Sequence, residues 1–208
     1  MRPIARGYTH LAAFFIILYP SILLLIDSNG PRALVASLIY TGSLMMQYGV
    51  SGFYHTKTWS REKYLLLRRL DHASIFVLIA GSATPICLLK LKNPVGLQLL
   101  SIFWLVALAG ICMTTIWTHA PKWTRALLYL FMGWIGVFYF PEIKSSLDLI
   151  DTQLLVLGGV TYTIGALIYA FKWPDPFPTV FGYHEVFHLL VILGSSFHFA
   201  LNYNLATT

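Results

Sequence analysis

The chain has 208 residues, of which 57% are hydrophobic and only 11% charged, with a mean hydropathy of +0.70. Soluble domains carry roughly a quarter charged residues, so the composition excludes an ordinary soluble domain and indicates a multi-span membrane protein. The net charge of +6 and pI near 9.4 would raise nucleic-acid binding in a soluble domain. No basic stripe interleaved with aromatics lies outside the apolar runs, and the excess of Lys and Arg follows from the orientation rule for cytoplasmic loops.

Seven apolar runs, each near the ~20 residues a bilayer requires, are predicted as spans at about 10–27, 33–55, 71–90, 95–117, 123–141, 152–172 and 183–204. The first follows Arg2 and Arg6, superficially like a signal peptide. No small-x-small cleavage site precedes Asp27, so it reads as a retained helix. Breakers and charges separate the runs: Asp27 to Pro31, Lys57 to Arg69, Lys90 to Pro94, His119 to Lys122, Pro141 to Asp151 and Lys172 to Pro178. Cys87 and Cys112 fall inside runs and form neither a disulfide framework nor a CxxC metal signature. No internal repeat is visible, and the expectation is one all-α membrane domain over residues 1–208, a seven-transmembrane helix bundle. Alternating the sides of the fourteen Lys and Arg residues puts ten with the N-terminus and four (Arg32, Lys90, Lys92, Lys144) opposite. The N-terminus is therefore expected in the cytoplasm and the C-terminus outside, in the cell (inner) membrane.

Polar residues acquire meaning on this topology. The second span ends with Ser51-Gly-Phe-Tyr-His55, the third begins with Asp71-His72, and the seventh begins with His184-Glu-Val-Phe-His188. All three ends lie at the N-terminal face, so Ser51, His55, Asp71, His184 and His188 share one membrane depth. Ser51 and His55, like His184 and His188, are four apart and share a helix face. Three histidines and a carboxylate suit zinc, which takes nitrogen and oxygen ligands in tetrahedral geometry and keeps a position open for water in catalytic sites. The expected ligands are His55, His184 and His188. Asp71 would handle the proton of the water, and Ser51 would hydrogen-bond to that water or to Asp71. A plain polar cluster joining the three spans is the competing reading, but an ionised Asp71 without a cationic partner would be expensive there.

Other residues weigh less. His72 is turned about 100° from Asp71 on a helix, and His198 lies roughly 15 Å beyond His188 along the axis, where it reads as a packed histidine. His10 and His119 fall near span ends and are expected to be solvated. His184-Glu185-x-x-His188 also fits HExxH, in which the Glu is general base, so Glu185 rivals Asp71, although a Glu at a helix start also complements the dipole. Tyr48, Phe53, Tyr54, Trp59 and Tyr183 read as an interfacial belt. The Trp173–Pro178 loop, rich in proline, stiffly precedes His184.

Ser51-x-x-x-His55, Leu70-Asp71-His72-Ala-Ser-Ile-Phe with Ala80-Gly-Ser-Ala-Thr-Pro85, and His184-x-x-x-His188 with Gly194 and His198 together resemble the hemolysin III family of the progestin and adiponectin receptor (PAQR) group. The resemblance runs in order along nearly the whole chain, and the compact length looks like the bacterial branch. It implies seven helices with a cytoplasmic N-terminus and a zinc site from His55, His184 and His188 with Asp71 and Ser51 close by. Through the alkaline ceramidases of the wider superfamily it implies lipid amide or ester hydrolysis, with a lipid or lipid-like molecule as partner. It also implies alternatives: a receptor or sensor with structural zinc, or a pore-forming, cytolytic or membrane-homeostasis protein. Ala83-Thr84 before Pro85, and a Glu between the paired histidines, depart from the usual pattern.

Overall fold

A computed structural model describes residues 3–117 and 121–208. Its helices are α1 (Tyr8–Asp27), α2 (Pro31–Thr56), α3 (Arg61–Pro85), α4 (Val95–Ile116), α5 (Lys122–Gly133), α6 (Phe140–Ser146), α7 (Leu149–Phe171) and α8 (Tyr183–Thr207). Among the described residues, seven helical stretches are long and apolar enough to cross a membrane, α5 and α6 together making the fifth.

The sequence dictates where these helices start and break. Pro31 opens α2 after Gly30, whose φ of +88° only glycine adopts easily. Asp148 caps α7 by accepting the Asp151 amide at 2.7 Å. Pro85 cannot donate to the carbonyl four residues back, and a π-helical turn over Ile86–Lys90 absorbs the mismatch. The fifth crossing is interrupted by 3₁₀ winding over Ile135–Tyr139, between Gly133 and Pro141. One difference from the sequence reading concerns α3, which begins at Arg61 rather than Asp71. The segment Arg61–Arg69 has apolar residues at Tyr64, Leu65 and Leu67 that continue the helical face, so Asp71 sits well inside the helix.

The bundle is polar inside and apolar outside at many positions. Phe15, Ile16 and Tyr19 of α1 are more than 60% exposed, whereas His10, Ser37, Gln47, Ser74 and Asn202 are buried. That inversion is what a bilayer solvent permits. Interior polar groups pair with one another, as in Ser74 Oγ donating to Gln47 Oε1 at 2.8 Å and Tyr162 OH meeting Ser195 Oγ at 2.7 Å. Two apolar cores hold the helices, one around Phe76, Leu99, Phe103 and Leu201, the other around Leu24, Tyr40, Leu44 and Val191. The last helix, α8, touches α1, α2, α3 and α7, so its first turns are surrounded.

Close helix approach depends on particular glycines. At Gly52 an added Cβ would come within 2.9 Å of the backbone N and Cα of Leu11, which fixes how near α2 passes to α1. At Gly133 it would meet nothing within 4 Å. Gly52→Val is expected to lower unfolding stability in detergent by about 1–3 kcal/mol through overpacking, while Gly133→Ala leaves it unchanged or slightly raised. Thermal unfolding followed by circular dichroism compares the two.

Candidate metal centre

Helix ends place the site. The C-terminal turns of α2 deliver Ser51 and His55, the body of α3 delivers Asp71, and the first two turns of α8 deliver His184 and His188. His55 and His184 face each other with their Nε2 atoms 3.3 Å apart. One nitrogen from each of His55, His184 and His188 lies within 4.8 Å of the others, and the three rings are 4.5–5.3 Å apart between centroids. Asp71 Oδ2 is 3.8 Å from His55 Nε2. Ser51, 1% exposed, lines the same cavity as Asp71.

These residues and their neighbours line a cavity of about 230 Å³ at the N-terminal face. A second cavity of similar volume extends into the bundle, with walls that are almost wholly apolar. The two share Gln47, Ile75, Tyr129, Tyr169 and Phe187 as wall residues. The site is thus the polar end of a longer, greasy interior space.

The donor set could hold a metal ion, and its nitrogen ligands are of the kind zinc takes. Nitrogens at the usual 2.0–2.1 Å from a tetrahedral ion are about 3.3 Å apart, the spacing already present between His55 and His184. The Glu185 carboxylate is differently employed. Its Oε2 accepts the Gly182 amide at 2.8 Å, capping α8, and its Oε1 accepts Arg6 Nε at 2.7 Å. Both oxygens are bound in a fully buried side chain.

Two residues that the sequence reading set aside belong here. His10 is fully buried rather than solvated, its ring stacked on His188 at 3.8 Å and 11° and tilted against Tyr48. The first turn of α1 is covered by α2 and α8, so the start of a span is not an interface at this point. Arg125, counted only as a face charge, is 8% exposed, lines the cavity and faces both Asp71 and Tyr169. His10 lies in the first turn of α1 and Arg125 one turn into α5, and both helices start from the face that carries the site. His72 also lines the cavity, and its carbonyl accepts the Tyr129 hydroxyl at 3.1 Å. His198 packs on Tyr162 deeper in the bundle, and its ring edge fills the space left by Gly158. His119 lies outside the described residues.

The Arg6–Glu185 pair yields a prediction. Arg6→Ala leaves the buried Glu185 carboxylate with one backbone donor, at an expected cost of about 3 kcal/mol. Arg6→Ala with Glu185→Gln, which removes the stranded charge, recovers most of it; unfolding of the two variants in detergent reads the difference.

A profile described as "Haemolysin-III related" matches residues 1–199. The chain is 33% identical to "Hemolysin-3 homolog" of Bacillus subtilis (strain 168) over 163 residues, 78% of this chain and 73% of that protein. It is 30% identical to "Hemolysin-3" of Bacillus cereus over 200 residues, 94% and 88% of the two chains. Similarity extends to "Adiponectin receptor protein" of Drosophila melanogaster, at 27% over 207 residues, 90% of this chain and 45% of that one. With three histidines gathered at the head of a seven-helix bundle and a family match spanning nearly its whole length, the chain belongs to the haemolysin-III related family of multi-pass membrane proteins.

Proposed function

We propose that the protein is a zinc-dependent hydrolase of a lipid amide or ester, seated in the cell (inner) membrane with its N-terminus and site at the cytoplasmic face. The observation that carries this reading is the juxtaposition of three imidazoles, a carboxylate and an adjoining apolar cavity. His55, His184 and His188 would hold the ion. When bound, zinc supplies Lewis acidity, polarising a carbonyl and making water more acidic.

The residues around it divide the remaining work. Asp71 is the carboxylate in reach to take a proton from water and return it to the leaving amine or alcohol. Ser51, in the same cavity wall, is the hydroxyl to hydrogen-bond that carboxyl or the water. Arg125, on the opposite wall, offers a fixed positive charge toward oxygen that gains negative charge during carbonyl attack. Tyr169 packs edge-on against His184 at 5.7 Å and closes the wall between ligand and cavity. The apolar cavity receives an acyl or sphingoid chain, whose burial contributes roughly 25 cal/mol per Å² of area leaving water, if it arrives from solution.

A specific observation favours a second reading. Asp71 Oδ2 at 3.8 Å from His55 Nε2 is near enough to complete a four-ligand site. Closed sites are structural, and such a zinc would suit a receptor or sensor, in keeping with the name of the fly relative.

The two readings part on one pair of variants. His188→Ala is expected to abolish both zinc content and turnover of ceramide-like or ester lipids, whereas Asp71→Asn retains zinc and loses turnover by at least 100-fold. Zinc content is read by elemental analysis of purified protein, turnover by mass spectrometry of lipid products. Loss of zinc in Asp71→Asn supports the closed site, and turnover persisting in zinc-free His188→Ala defeats the hydrolase reading.

A further inference from the structure

The segment ahead of α1 and its first turn touch the ligand set repeatedly. Ile4 and Ala5 donate their amides to the carbonyls of Thr179 and Val180, at 3.1 and 3.0 Å, in the loop that leads to His184. Arg6 reaches Glu185. At Gly7 the backbone turns with φ +87°, so close to α2 that an added Cβ would stand 2.6 Å from His55 Cβ. Thr9 Oγ1 is 3.3 Å from His188 Nδ1, and His10 stacks on the same ring. Seven consecutive residues thus form a strap across the loop, the α8 cap and two of the three proposed ligands.

We infer that Thr9 is the positioning residue of His188, fixing its ring so that Nε2 is the nitrogen offered to a cation. The inference rests on the metal reading of the site. Imidazole has two nitrogens, and the one that binds a metal is set by what holds the other. With Nδ1 against Thr9 Oγ1, the metal-binding form donates Nδ1–H to the hydroxyl oxygen and presents Nε2. His10 holds the plane of that ring, stacking on one face of His188 at 3.8 Å. The hydroxyl has a further advantage over a carboxylate there. It accepts the hydrogen bond without adding a third buried carboxylate beside Glu185 and Asp71.

Partners of this kind change metal affinity by 10–100-fold when removed. The test measures Zn²⁺ dissociation constants of detergent-purified wild type, Thr9→Val and Thr9→Ser by chelator competition, with the visible spectrum of the Co²⁺-loaded protein as a second readout. Thr9→Val keeps shape and loses the acceptor, so its affinity falls 10–100-fold and its Co²⁺ spectrum changes in intensity. Thr9→Ser keeps the oxygen and stays within about threefold of wild type on the same scale. Should Thr9→Val fail to fold, Thr9→Cys, a weak acceptor of similar size, is read in its place with the same expected loss. Metal bound by wild type and lost in His188→Ala, beside a Thr9→Val protein (or Thr9→Cys in its place) that binds as tightly as wild type, overturns this inference alone. A wild type that binds no metal overturns the metal reading and this inference with it.

Discussion

Three imidazoles and a carboxylate gathered in a largely buried space impose the constraint from which the rest of the arrangement follows. Polar groups removed from water are costly unless paired, and imidazoles are poor partners for one another, because two facing nitrogens share at most one proton. The 3.3 Å approach of His55 and His184 is therefore stable as a neutral pair or around a cation. Several neighbouring polar groups have a counterpart: Glu185 has Arg6, His188 has Thr9, and Asp71 shares its cavity wall with Ser51 and Arg125, whereas neither nitrogen of the buried His10 has a hydrogen-bond partner. The counterparts come from α1, α2 and α5. Assembly of the whole N-terminal end of the bundle is thereby coupled to the order of the site, and packing errors at a position such as Gly52 reach the ligands through His55, one turn away.

The irregular turns have a second consequence. Ile86 and Cys87 of the π-helical turn, and Gly133, Trp134, Gly136 and Val137 around the 3₁₀ stretch, all line the apolar cavity. A π turn or a 3₁₀ turn changes the angular spacing of side chains, so a regular pair of helices cannot close over that surface. In a bilayer the backbone groups released by such breaks are tolerated only where protein surrounds them, and Ile86 and Ile135 are indeed buried. Pro85 and the Gly133–Pro141 interval thus account for the apolar cavity beside the histidines.

Much of this was legible because depth in a seven-span protein follows from counting. The residues Ser51, His55, Asp71, His184 and His188 could be brought to one face from span parity alone, and the structure gathers the three histidines. Counting failed where the first turn of α1 was treated as interface. A span start is solvated only when no neighbour covers it, and coverage of His10 by α2 and α8 is a tertiary fact that hydropathy does not encode. Arg125 was hidden for the opposite reason, since a cation near a span end counts toward orientation whether it faces water or a cavity. Glu185 shows the limit of motif letters. HExxH is present, yet the strap brings Arg6 to that carboxylate and α8 uses its other oxygen as a cap, neither of which the spacing of the motif reveals.

Arg6 and Arg125 also bear on the expected orientation. Arg6 and Arg125 both entered the tally that placed the N-terminal face in the cytoplasm, although each is held within the bundle by Glu185, Asp71 or Tyr169. A charge neutralised in the interior is a weak determinant of which loops stay on the cytoplasmic side, because the rule concerns cations that would otherwise have to cross the bilayer in short loops. Removing both leaves Lys57, Arg61, Lys63, Arg68, Arg69 and Lys172 among those on the N-terminal side, against Arg32, Lys90, Lys92 and Lys144 opposite. The bias narrows without changing sign. The residues that line the cavity and the cations behind the expected orientation are therefore largely separate sets, with Arg6, Arg68 and Arg125 belonging to both.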